Sequence, residues 1–163
     1  MSHVTLDLKG KVILITGASR GIGKAIATRM ASHGADLVLA ARNLQPLEEL
    51  VNHLKDKYGV QAIGVSTDVA KLEDLQNLVV QAKARFEKID ILINVAGVSS
   101  QHLFHQQPIE EFEKLANTNY LGYVRLIRLV VTDMVARKSG HLINVVSGST
   151  LCDPLPRTFL VYS

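Results

Sequence analysis

An apolar run, Val12-Ile13-Leu14-Ile15, leads directly into Thr16-Gly17-Ala18-Ser19-Arg20-Gly21-Ile22-Gly23, and a helix-like stretch follows at once. Few structures need a strand that ends in closely spaced glycines and reopens as a helix. Glycine permits a sharp turn and lets another group approach the backbone closely, while the unpaired N–H groups and dipole of the new helix attract negative charge. The segment therefore reads as the phosphate-binding turn of a dinucleotide fold. Its spacing is Gly, three residues, then Gly-x-Gly, which differs from the general Gly-x-Gly-x-x-Gly pattern. Alone, such a connection can be purely structural, so the rest of the chain must supply the other parts in order.

Strand and helix periods alternate along the whole chain. Strands are predicted over Lys11 to Thr16, Asp36 to Ala40, Gln61 to Ser66, Ile89 to Asn94 and His141 to Val146. Between the first pair lies a helix, Gly21 to Ser32, with Ile22, Ala25, Ile26 and Met30 on one face and a stop at Gly34. A second helix carries Leu47, Leu50, Val51, Leu54 and Tyr58 and closes at Gly59; a third turns Leu72, Leu75, Val79, Ala82 and Phe86 inward. One long helix, Pro108 to about Arg137, presents Phe112, Leu115, Tyr123, Ile127, Val130 and Met134. This order implies parallel strands joined by right-handed crossovers with helices on both faces. The expected fold is a doubly wound α/β, Rossmann-type sheet of order 3-2-1-4-5.

A chain of 163 residues, 47% of them hydrophobic, suits one core and one domain spanning residues 1–163. Its 18 basic and 15 acidic residues are scattered, without the basic stripe of a nucleic-acid binder. The single cysteine, Cys152, and an N-terminus without an apolar leader predict a reducing, cytoplasmic setting. The longest apolar stretch, Leu126 to Val135, is broken by Arg128 and Asp133 and falls short of the ~20 residues of a membrane span. His102 and His105 have an i, i+3 spacing without a nearby carboxylate or cysteine pair. A solvated or substrate-mouth role is expected there, and no metal site.

The second strand ends in Leu39-Ala40-Ala41-Arg42-Asn43. In this fold an acid at that tip binds the ribose hydroxyls of NAD and repels a phosphate. No carboxylate is present, and Arg42 can pair with a 2′-phosphate in bidentate fashion. Arg20 lies near the same corner. Either arginine alone would be an ordinary solvated side chain; the two together favour NADP(H).

Further motifs follow in order: Asp68-Val69 after the third strand, Asn94-Val95-Ala96-Gly97 after the fourth, Asn119-Tyr120-Leu121-Gly122 in the long helix, then Ser147 and Tyr162. With the glycine turn they resemble the short-chain dehydrogenase/reductase family from about Lys11 to Ser163. The resemblance implies an NADPH-dependent oxidoreductase that transfers hydride between nicotinamide and a carbonyl or alcohol substrate, in a homo-oligomeric parent protein. It implies cofactor binding by Gly17, Ser19, Arg20, Gly21, Ile22, Gly23, Arg42, Asp68, Val69, Asn94, Ala96 and Gly97, and catalysis by Asn119, Ser147 and Tyr162.

Within that resemblance, Asp68 and Val69 hold the adenine, and Asp68 is equally an N-cap for a helix from Lys71 to Phe86. Val95 stands where the family has a second asparagine. Asn119 perturbs the helix and holds a water of the proton relay; its rival Asn117 lacks a glycine three positions on. Strand counting selects Ser147 to orient the substrate, whereas counting back from Tyr162 selects Ser149. Tyr162 is the general acid in reduction and the base in oxidation. In the family a lysine four residues later lowers its pKa, and this sequence ends at Ser163. The expectation is a reductase cut short just after its tyrosine, incomplete at the C-terminus, with the fifth strand left as an open edge. The alternative is a truncated, non-catalytic NADP(H)-binding or interaction module that heterodimerises with a full-length relative. A methyltransferase-like domain shares the early glycines but leaves Arg20, Arg42, the Asn-Val-Ala-Gly turn and Tyr162 unexplained.

Overall fold

The computed structural model describes residues 7–100 and 102–146, apart from the Phe104 side chain. Strands β1 (Val12–Thr16), β2 (Asp36–Ala41), β3 (Ala62–Ser66), β4 (Ile91–Asn94) and β5 (His141–Asn144) form one parallel sheet in the order β3-β2-β1-β4-β5. The predicted order holds. Every residue of β1 is buried, as a central parallel strand covered on both faces requires. Alternation along the strands separates two cores. Ile13, Ile15, Leu37 and Leu39 face one side with Leu47, Leu50 and Leu54; Val12, Leu14 and Val38 face the other with Leu75, Leu78, Leu126 and Val130. From β1 the chain builds outward first through β2 and β3, then on the opposite side through β4 and β5. The order thus reverses at β1, where ligand crevices of open α/β sheets form.

The helices depart from expectation in three places. Helix α1 (Gly21–Ser32) buries Gly23, Ala27 and Ala31, while Ile22 is 63% exposed. A stripe of small residues at i, i+4 and i+8 lets the helix lie close to the sheet, and the larger Ile26 and Met30 pack beside that contact. Helix α2 (Leu44–Tyr58) starts where Asn43 Oδ1 accepts from the Gln45 N–H and stops at Gly59 with φ of 68°. In α3 (Leu72–Phe86) the buried face includes Leu78, and Leu72 is exposed. The long helix is three pieces: α4 (Ile109–Ala116), a π-turn (Asn117–Leu121) and α5 (Gly122–Ala136). Among the described residues β5 pairs only with β4, leaving Leu142 and Ile143 exposed.

At the N-terminal ends of the strands, buried Asp90 accepts from the Val12 N–H at 2.9 Å and faces Lys88 at 3.2 Å and Arg137 at 3.4 Å. Its own N–H donates to the Val12 carbonyl, its carbonyl accepts from His141, and Arg137 also donates to the Ile89 carbonyl. One residue thus joins the starts of β1, β4 and β5 to the end of α5.

Candidate functional site: a cleft at the ends of β1, β2 and β4

Three backbone segments meet at the C-terminal end of β1 with no room for side chains between them. Gly17 has φ of +67°, and a Cβ there would lie 2.9 Å from the Ala96 Cα and N. A Cβ on Gly23 would sit 2.2 Å from the Gly17 carbonyl oxygen. Fully buried Thr16 completes the junction, its hydroxyl accepting from the N–H groups of Val95 (3.1 Å) and Ala96 (3.2 Å). The turn after β4 therefore hangs on the end of β1. Sequence reading missed this role; the available signal was one hydroxyl ending an otherwise aliphatic strand.

Above this junction opens a cleft of about 680 Å³, within the ~300–1,000 Å³ range of small-molecule and cofactor sites. Every cofactor-binding residue expected from the sequence lines it except Asn94. Asn94 is buried, and its amide donates to Asn144 Oδ1 at 3.0 Å across β4 and β5, so it ties strands instead of facing the cleft. Arg20, the residue preceding α1, makes no side-chain cap, leaving the first N–H groups of that helix for a ligand. Arg42 lines the cleft from the end of β2, beside Asn43, whose side-chain oxygen is committed to the α2 cap.

The third-strand exit forms a tight clip. Asp68 Oδ1 accepts from the Ala70 N–H at 3.1 Å, and the Asp68 N–H donates to Asp74 Oδ2 at 2.8 Å. Asp68 thus caps the turn before α3, while the helix N-cap itself is Lys71, without a side-chain bond. Lys114 and Thr118, from α4 and the π-turn, line the cleft although nothing in the sequence singled them out.

Asn119 sits in the π-turn and clamps Val98 from both sides, Oδ1 accepting from its N–H at 2.9 Å and Nδ2 donating to its carbonyl at 2.8 Å. Of the two rival asparagines, Asn119 holds the cleft wall; the Asn117 carbonyl accepts from the Gly122 N–H within the helix. Tyr123 is buried, and burial pushes its phenol up to about 12, which keeps it protonated and unsuited to neutral acid–base work. Ser147, Ser149, Cys152 and Tyr162 lie outside the described residues. His102 does have a carboxylate neighbour, contrary to expectation: α4 brings Glu111 Oε2 to 2.7 Å from its Nδ1. Among the described residues no group of three His, Cys, Asp or Glu could hold a metal, and no helix is long and apolar enough to cross a membrane.

Residues 11–162 match the family described as short chain dehydrogenase. The chain belongs to that family. It is 41% identical over 138 residues to an uncharacterized oxidoreductase of Listeria monocytogenes, covering 85% of this chain and 55% of that protein. L-sorbose reductase from Gluconobacter frateurii, solved with NADPH and L-sorbose, is similar with a TM-score of 0.89 and 36% identity over 94% of this chain and 58% of that one. NAD⁺-bound xylitol dehydrogenase is similar with a TM-score of 0.87 and 28% identity, covering 93% of this chain and 58% of that chain. The chain spans about half the length of the curated relatives it matches. In this member of the family the cleft fits a nicotinamide dinucleotide: Gly17 and Gly23 leave no room for a Cβ beside the neighbouring backbone, the adjoining helix end is uncapped, and Arg20 and Arg42 line the cleft from the turn after β1 and the end of β2.

Proposed function

We propose that the protein is an NADPH-dependent oxidoreductase acting on a carbonyl/alcohol pair, with residues 1–163 forming one domain. The observation that carries this reading is Arg20 and Arg42 lining one cleft with no carboxylate at the β2 tip. The L-sorbose reductase solved with NADPH supports it, whereas the NAD⁺-bound xylitol dehydrogenase shows that the fold alone does not select the cofactor. Selection then rests on this chain's own cations.

In this reading the first turn of α1 receives the pyrophosphate, Asp68 and Val69 hold the adenine, and the Ala96-Gly97 backbone borders the nicotinamide half. Bound there, NADPH supplies the hydride. Asn119 keeps the wall at Val98 in place, Ser147 orients the substrate oxygen, and Tyr162 gives its proton to that oxygen as negative charge develops on it.

NADPH is expected to bind more tightly than NADH, and Arg42→Asp to narrow or reverse the preference. A charge-assisted contact contributes on the order of 1.5–3 kcal/mol, so the ratio of the two affinities should change about tenfold to hundredfold. Fluorescence titration checks this, and equal affinities in the folded wild-type protein would overturn it. In turnover assays of the full protein, Ser147→Ala should lose more than Ser149→Ala; the opposite ranking assigns the substrate-orienting role to Ser149.

A further inference from the structure

Arg125, on α5 three residues beyond Gly122, reaches across to the third-strand clip, where its Nη1 donates to the Ala70 carbonyl at 3.0 Å. The other side-chain bonds at this clip are local, made by Asp68 and Asp74. The Arg125 bond spans 55 positions of sequence and ties the clip to a different element. Gly122 prepares the contact, because a Cβ there would stand 2.7 Å from the Val69 carbonyl oxygen. Two successive clip carbonyls are therefore set by α5, one by close approach and one by a hydrogen bond. Among the described residues Arg125 makes no ion pair with a carboxylate, so its described partner is a main-chain carbonyl on the wall of the cleft.

We propose that Arg125 is a positioning residue for the adenosine half of the cofactor, fixing the Asp68–Val69 edge through the Ala70 carbonyl. The proposal rests on the reading of the cleft as a nicotinamide-dinucleotide site. A guanidinium suits the role because it is always charged and its planar donors hold a carbonyl in a fixed direction. It is distinct from the role of Arg42, which concerns the 2′-phosphate. Loss of Arg125 should weaken every adenosine-containing ligand equally, and loss of Arg42 should weaken only those with the phosphate.

The experiment is calorimetric titration of the full protein with 2′,5′-ADP and with 5′-AMP, which lacks only its 2′-phosphate, in wild type, Arg125→Met, Arg125→Gln, Arg125→Lys and Arg42→Ala. Arg125→Met is expected to bind both nucleotides about tenfold more weakly with their affinity ratio unchanged. Arg125→Gln, measured beside it in case the Met variant does not fold, should move both in the same ratio. Arg125→Lys keeps a charged donor without the planar fork and should bind both nucleotides more weakly than wild type but more tightly than Arg125→Met. Arg42→Ala should shift the ratio itself. Folded Met and Gln variants that melt lower yet bind both nucleotides like wild type would show a purely structural role and overturn the proposal, as would a Lys variant as weak as Met. If wild type binds neither nucleotide, the cofactor reading falls and this inference with it.

Discussion

Gly23→Ala is expected to destabilise the protein by about 3–5 kcal/mol and to abolish cofactor binding in whatever remains folded. The added Cβ would stand 2.2 Å from the Gly17 carbonyl oxygen and 2.8 Å from its carbon. Both are backbone atoms, so no rotamer change relieves the overlap. Retreat of the Gly17 peptide is blocked in turn, because Gly17 lies against Ala96, which is itself held by the Thr16 hydroxyl. Gly21→Ala is the matched control. Its Cβ would meet nothing within 4 Å, and the φ of +52° adds only the ~1–2 kcal/mol of a left-handed alanine. In thermal unfolding the Gly23 variant should melt about 6–20 °C below wild type, and the Gly21 variant about 2–8 °C below. Equal melting of the two variants would show that α1 does not seat on the β1 turn as described.

That contrast also separates what could be read from the sequence from what could not. The glycine turn was legible because a residue without Cβ is itself a statement about backbone conformation and clearance. The strand order was legible because chirality leaves few ways to connect alternating strands and helices. The face of α1 was misread. Large apolar residues attract attention, yet the seat on the sheet is the small stripe Gly23, Ala27 and Ala31, and Ile22 is left for the cleft. The π-turn was hidden because Leu115, Tyr123, Leu126, Val130 and Met134 repeat as they would on an unbroken helix, so the extra residue leaves no gap in the apolar pattern. Thr16 and Arg125 act through contacts between distant segments, and a surface-type residue carries no local mark of the backbone group it will meet.

Asp90→Ala, at the opposite end of the sheet, is expected to destabilise the protein by about 2–4 kcal/mol without altering the cleft. The substitution leaves the Val12 N–H without its acceptor at a buried strand start and removes the partner of Lys88 and Arg137. Burial pushes the Asp90 carboxyl up, but the Val12 amide hydrogen bond, the bond and charge of Lys88, and the charge of Lys11 together hold it below the ordinary 3.8. The folded state therefore prefers the ionised form more than the unfolded chain does. The sign follows from linkage: this contribution is fully present above the unfolded carboxylate pKa of ~3.9 and is lost as pH falls through the lower folded value. In urea unfolding, the stability difference between wild type and Asp90→Asn should stay constant from about pH 7 to pH 5 and shrink below about pH 4. A difference that does not change down to pH 3 would mean that the charge on Asp90 adds nothing, and that its carboxyl serves β1 only as a neutral hydrogen-bond acceptor.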